Sequence, residues 1–130
     1  MSQNVDVVRQ LVDRWNAGDV EGSLELYHED AVAIAGPDWP EQATHRGHDE
    51  LRANMADWLS VWDSSQIEVA SIETYGDKVV VTGSWIIRGR SGGVPGTMPF
   101  VILFTLRDGK IAVLEWQTDH DSAVAAARGT

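Results

Sequence analysis

Val5, Val8, Leu11, Val12 and Trp15 fall at helical spacing, so VDVVRQLVDRW, 5–15, is predicted to form an amphipathic helix. Asn16 and Gly18 release that helix, and Asp19 supplies the N-cap of a second one whose apolar residues are Val20, Leu24 and Tyr27. AVAIA, 31–35, reads as a short strand that stops at Gly36-Pro37, because proline has no amide to continue the pairing. After Gly47 the helical period returns. Leu51, Met55, Trp58, Leu59 and Trp62 make one broad stripe in HDELRANMADWLSVW, 48–62, with Asp49 and Glu50 in the first turn, at the positive end of the helix dipole.

From Gln66 onwards the texture turns to β. IEVASIETY, KVVVTGSWIIRGR, MPFVILFTL and KIAVLEWQT are four strand candidates, and the GD at 76–77 and the DG at 108–109 are hairpin turns. SGGVPGT, 91–97, has neither the length nor the lysine of a phosphate-binding loop and reads as a flexible β connection. In QIEVASIE, Ile67, Val69 and Ser71 alternate, but Ile72 breaks the pattern. FVILF, 100–104, is apolar on both faces, so both must be shielded. Helices cover one face. Long neighbouring side chains or a second copy of the chain cover the other, and a homodimer through the outer sheet face is the preferred expectation, with Trp85, Ile86 and Ile87 in agreement. The tail DHDSAVAAAR is predicted to form a short helix capped by Asp121. The order is that of an α+β fold.

Bulk properties narrow the function. At 130 residues and 43% apolar content the chain is expected to fold as one domain, 1–130. No stretch approaches the ~20 apolar residues of a membrane span. The first residues lack the apolar core of a secretory signal, and a cytoplasmic location is expected. Without cysteine there is no disulfide, thiolate metal site or cysteine nucleophile. A formal charge of -10 repels a phosphate backbone, and Arg88 with Arg90 is too small a basic patch to offset it, so no nucleic-acid partner is expected.

Six tryptophans are hard to bury in so small a chain. Trp15, Trp58 and Trp62 lie on helix stripes, Trp85 and Trp116 in strands, and Trp39 in the connection GPDWPEQATHRG, 36–47. Core packing explains each singly. Together, helices laid on a curved sheet with aromatics around the gap predict an apolar pocket for a hydrophobic small molecule.

The segments WNAGDVEGSLELYHEDAV (15–32), HRGHDEL (45–51), RDGKI (107–111) and DHDSAVAAA (119–127) resemble, in order and spacing, the SnoaL-like branch of the nuclear-transport-factor-2-like superfamily. The resemblance implies a cone-shaped, curved, mainly antiparallel sheet with three helices from the N-terminal half enclosing a pocket, commonly as a dimer. It does not imply one reaction, because the fold carries isomerases, cyclases, epoxide hydrolases and binding proteins.

Ketosteroid-isomerase relatives keep a phenol, a base and a second acid at positions that match Leu11, Ala35 and Ile102 here, so that machinery is absent. Epoxide hydrolysis would need a carboxylate pair and an arginine. Glu115, Asp119 and Arg88 are poor matches. Cyclase-type proton transfer would fall to Asp38 as base and His45 as acid, on the connection over the pocket mouth, since His28 and His48 read as exposed helix-end residues and His120 lies beyond the last strand. The resemblance points Phe100, Ile102, Phe104, Leu114, Trp116 and Thr118 inwards and Glu115 outwards. The expected ligand wall is therefore Trp15, Trp39, Trp58, Trp62, Phe100, Ile102, Phe104, Trp116 and Thr118. No cofactor is expected, and no metal, because Gly47 separates His45 from His48 and Asp49. A binding protein is favoured slightly over a cyclase- or isomerase-type enzyme.

Overall fold

In the computed structural model, which describes residues 3–35, 44–89, 95–117 and 119–129, the first helix runs Gln3–Asn16 (α1) and buries Val7, Val8 and Leu11. The turn passes through Gly18 at φ 79°, a conformation that side chains with a Cβ avoid. The second helix, α2 (Val20–Leu24), is capped as expected, Asp19 Oδ1 accepting from the Gly22 amide at 2.8 Å. It is shorter than expected. Tyr27, predicted on its apolar side, is instead the first residue of β1 (Tyr27–Ile34).

The connection after β1 returns as β2 (Thr44–Arg46), which pairs antiparallel with β1. Then comes α3 (Gly47–Ser60), and Trp62, predicted on its stripe, begins β3 (Trp62–Tyr75). The sequence ends with β4 (Lys78–Gly89), β5 (Pro95–Arg107), β6 (Lys110–Gln117) and α4 (His120–Arg128). Asp108 and Gly109 both have positive φ, 55° and 79°, as a two-residue turn that follows the strand twist requires. The cap of the last helix lies two residues before the predicted one, at Asp119 instead of Asp121. Asp119, in extended conformation, accepts from the Ser122 amide at 2.7 Å, and Asp121 lies in the first turn.

All strand pairs in the order β2-β1-β6-β5-β4-β3 are antiparallel except β1 with β6. The cone expected to enclose the pocket is not formed. The sheet is open, neither closed nor strongly curled, and its outermost strands β2 and β3 do not pair. Closure would need their edges to match, yet β2 has 3 residues and β3 has 14. The outer edge of β3 is instead engaged by a side chain. Asn16 Nδ2 donates to the Ile67 carbonyl at 2.9 Å while its Oδ1 accepts from the Ile67 amide at 2.7 Å, as a neighbouring strand would.

The two faces of the open sheet carry two cores. Against α1 and α3 pack Val79, Val81, Trp85, Phe100, Ile102, Phe104 and Leu114. On the opposite face Val80, Val101 and Leu103 pack against Ala123 and Ala127 of α4, with Tyr75 beside them. The apolar run 100–104 is thus shielded on its second face by the chain's own last helix. The broken alternation of β3 has a local cause too. A bulge between Val69 and Ser71 shifts the register, so Ile67, Val69 and Ile72 all pack against the helix-side core.

Candidate functional site

Between the helix-side face of the sheet and helices α1 and α3 lies a cavity of about 340 Å³. Val8, Leu11 and Trp15 wall it from α1, and Leu51, Asn54, Met55 and Trp58 from α3. The sheet contributes Val81 and Trp85 from β4, Phe100, Ile102 and Phe104 from β5, and Leu114 and Trp116 from β6. Alternation along each strand puts these side chains on one face.

Trp85 is the hub of the wall. Its ring centroid lies 5.5 Å from Trp15, 5.1 Å from Trp58, 5.5 Å from Phe100 and 6.2 Å from Trp116, in tilted and edge-on arrangements that suit the ring quadrupoles. Phe100 reaches this cluster across Gly83, its register partner. A Cβ at Gly83 would lie 3.1 Å from the Phe100 ring and 2.4 Å from the Glu68 carbonyl oxygen. The indole of Trp58 donates to Ser65 Oγ at 3.0 Å. The buried indole N–H groups of Trp15 and Trp62 have no acceptor among the described residues.

Among the described residues, none of the cavity-lining side chains is acidic, basic or a histidine. The one ionisable group among the described lining residues is the Tyr27 phenol, which burial pushes far above its ordinary value of 10.0, so it stays neutral. Leu11 and Ile102, which match two polar positions of the isomerase relatives, do face the cavity and leave its wall apolar there.

Of the expected ligand wall, Trp15, Trp58, Phe100, Ile102, Phe104 and Trp116 line the cavity. Trp62 stands behind it, its ring 5.5 Å from Trp58. Asp38, Trp39 and Thr118 lie outside the described residues. His45 is half-buried on the edge strand β2, opposite Ala33, and so shares the helix-side face of the sheet with that cavity-lining residue. The other histidines are tied to main chain or carboxylate: His48 stands in the first turn of α3 and His120 at the start of α4, whereas His28, read as a helix-end residue, lies in β1. His28 Nε2 donates to the Arg107 carbonyl at 2.5 Å and His48 Nε2 to the Tyr27 carbonyl at 3.0 Å. His120 Nε2 meets Glu73 Oε1 at 2.5 Å across the far face of the sheet, and the Tyr75 hydroxyl donates to the other Glu73 oxygen at 2.6 Å. Among the described residues no group of three or more His, Asp or Glu side chains is gathered to hold a metal ion, and no helix is long and apolar enough to cross a membrane.

Trp85, Tyr27 and Met55 were not among the expected site residues. For Trp85 the signal was present, since Trp85 and Ile87 alternate with Arg88, but Ile86 masks it. For Tyr27 it was hidden, because the pairing of β1 with β6 shifts register between Tyr27 and Val32.

A model of the SnoaL-like domain matches residues 8–114. The chain belongs to the SnoaL-like family. Solved structures with the same fold include an NTF2-like protein of unknown function from Burkholderia pseudomallei, 21% identical, covering all of both chains with a TM-score of 0.80. A putative polyketide cyclase from Sinorhizobium meliloti is 28% identical over 86% of this chain and 94% of its own, with a TM-score of 0.68. TerC, co-crystallised with polyporic acid, is 23% identical over 99% of this chain and 100% of its own, with a TM-score of 0.78. No curated protein matches the chain. This SnoaL-like chain carries a cavity ringed with tryptophan and, among the described residues, free of charged side chains.

Proposed function

We propose that this SnoaL-like protein binds a hydrophobic, ring-containing small molecule in the cavity beneath α1 and α3. The observation that carries the reading is the wall itself: about 340 Å³ of space bounded by Trp15, Trp58, Trp85, Phe100 and Trp116. Apolar, aromatic-lined hollows with few polar groups are the usual places for such ligands. TerC, of the same fold, was crystallised with polyporic acid, which is in keeping with an organic ligand here. The test is a tryptophan-fluorescence titration with uncharged steroids, polyketides and terpenes. A saturable change with at least one class is expected, because four indoles among the described residues line the space; a flat response to all three contradicts the proposal.

A second reading is proton transfer next to a carbonyl, with His45 as acid and Asp38 as base. It is favoured by one observation, the pairing of His45 with cavity-lining Ala33. His45→Ala and Asp38→Asn would then abolish turnover while leaving ligand affinity within a few-fold. Equal turnover by the variants removes it.

A homodimer through the outer sheet face goes with either reading. Support comes from the part of that face away from α4, where Val32, Ile34, Ile86 and Val113 are only half-buried. Sedimentation of a single 14.3 kDa species at tens of micromolar would exclude it.

A further inference from the structure

Cysteine is absent from the chain, so an oxidant that attacks sulfur here meets only methionine. Of the three methionines, Met1 lies outside the described residues, and the other two, Met55 on α3 and Met98 on β5, both line the cavity. Their exposure differs. Met55 is half-buried, whereas Met98 is 40% exposed and faces water as well as the cavity. A residue that does both stands at the opening. Asn54 and Pro99 are the other exposed members of the described wall, so the mouth lies between α3 and the start of β5.

Met98 is the register partner of Trp85, and directly opposed residues share one face of the sheet with Cβ atoms roughly 4.5–5.5 Å apart. It therefore stands beside the hub of the ring cluster, where an apolar, polarizable thioether suits aromatic neighbours. Peroxide changes that chemistry. The sulfur lone pair attacks one peroxide oxygen and the O–O bond breaks; the second oxygen leaves as hydroxide and takes the proton from the first, giving sulfoxide and water. Sulfur loses two electrons and the peroxide gains them. The thioether becomes a polar, chiral sulfoxide at the rim of an apolar wall, and an apolar ligand that covers it strips its water without offering a hydrogen bond in return.

We propose that Met98 is a peroxide-sensitive gate: hydrogen peroxide oxidises it ahead of Met55, and the sulfoxide at the mouth lowers the affinity of the cavity for apolar ring compounds until a methionine sulfoxide reductase restores the thioether. The inference rests on the binding reading and adds a reversible control to it.

The test treats the full chain with graded doses of hydrogen peroxide, maps the products by peptide mass spectrometry, and titrates 9-fluorenone by isothermal titration calorimetry before and after. Met98 should gain one oxygen while Met55 is still intact, and at that dose the affinity should fall about 10-fold. Sulfoxide reductases of both epimer specificities should return the mass and the affinity together, which they would not do for an oxidised indole. In variants the quantity read is the ratio of affinities before and after peroxide: about 1 in Met98→Leu and still about 10 in Met55→Leu. Oxidation of Met55 or a tryptophan ahead of Met98 overturns the assignment. Fluorenone binding that survives full oxidation of Met98 overturns the gate and leaves the binding reading standing. Absence of fluorenone binding before peroxide removes the binding reading and the gate together.

Discussion

Trp85 concentrates the consequences of the cavity wall at one residue. It is 8% exposed and in ring contact with Trp15, Trp58, Phe100 and Trp116, so Trp85→Ala removes the centre of the cluster rather than one of its members. A loss of about 3–5 kcal/mol is expected, measured as a fall in the urea midpoint. Gly83 is the complementary case, where a single added methyl has no room. Gly83→Ala should cost about 1–3 kcal/mol and displace Phe100, visible as a changed near-ultraviolet circular dichroism spectrum, because the strand backbone of Glu68 cannot retreat from a ladder it is part of. At this scale the sequence was a partial guide. The strand residues Phe100, Ile102, Phe104 and Trp116 were legible because resemblance and alternation agreed on their direction. Tyr27 and Trp62 were not, since each stands at the junction of a helix and a strand, where apolar spacing fits both periods.

Helix α4 shows how an element can be held by few contacts. It buries only Ala123 and Ala127, so the polar bridge at its start carries much of its placement. The Tyr75 hydroxyl and His120 hold the Glu73 carboxyl below its ordinary 4.5, and Glu73 holds His120 above its ordinary 6.5. Asp121, 3.6 Å from His120 Nδ1, adds to the latter, while Asp119 caps the helix and Arg128 lies at its other end, near Tyr75. The signs follow. The raised His120 contributes fully below pH 6.5 and is lost as pH rises through its folded value; the lowered Glu73 contributes above pH 4.5 and is lost as pH falls through its own. Docking of α4 is therefore tightest between those limits. Amide-exchange protection factors of Ala123 and Ala127, corrected for intrinsic rates, should fall between pH 6 and pH 9, and His120→Gln should remove the dependence. The outer edge of β3 is the other element held by a side chain. Asn16→Ala strips the Ile67 amide and carbonyl of their partner and should cost about 1–2 kcal/mol by urea unfolding. The helices and strands were largely readable from period and caps. The role of α4 was not, because an alanine-rich tail gives no sign of the sheet face it covers.

For the whole molecule, the α+β order was legible and the closed cone was not. Closure depends on which edges meet, and the sequence of a three-residue strand such as THR, 44–46, carries no signal strong enough to say that β2 stops short of β3. The open sheet places the cavity between layers rather than inside a barrel, with α1 and α3 as its roof. Ligand and fold are then coupled, because filling the space joins helices to sheet. A ligand at about 100 times its dissociation constant adds about 2.7 kcal/mol, a rise of a few degrees in the midpoint of calorimetric unfolding. The account stands most directly on what occupies that layer. The decisive measurement is a crystal structure of the protein grown with 9-fluorenone. It should show the probe between Trp58, Trp85 and Trp116. A cavity closed by its own tryptophans, with the probe elsewhere or nowhere, would contradict it.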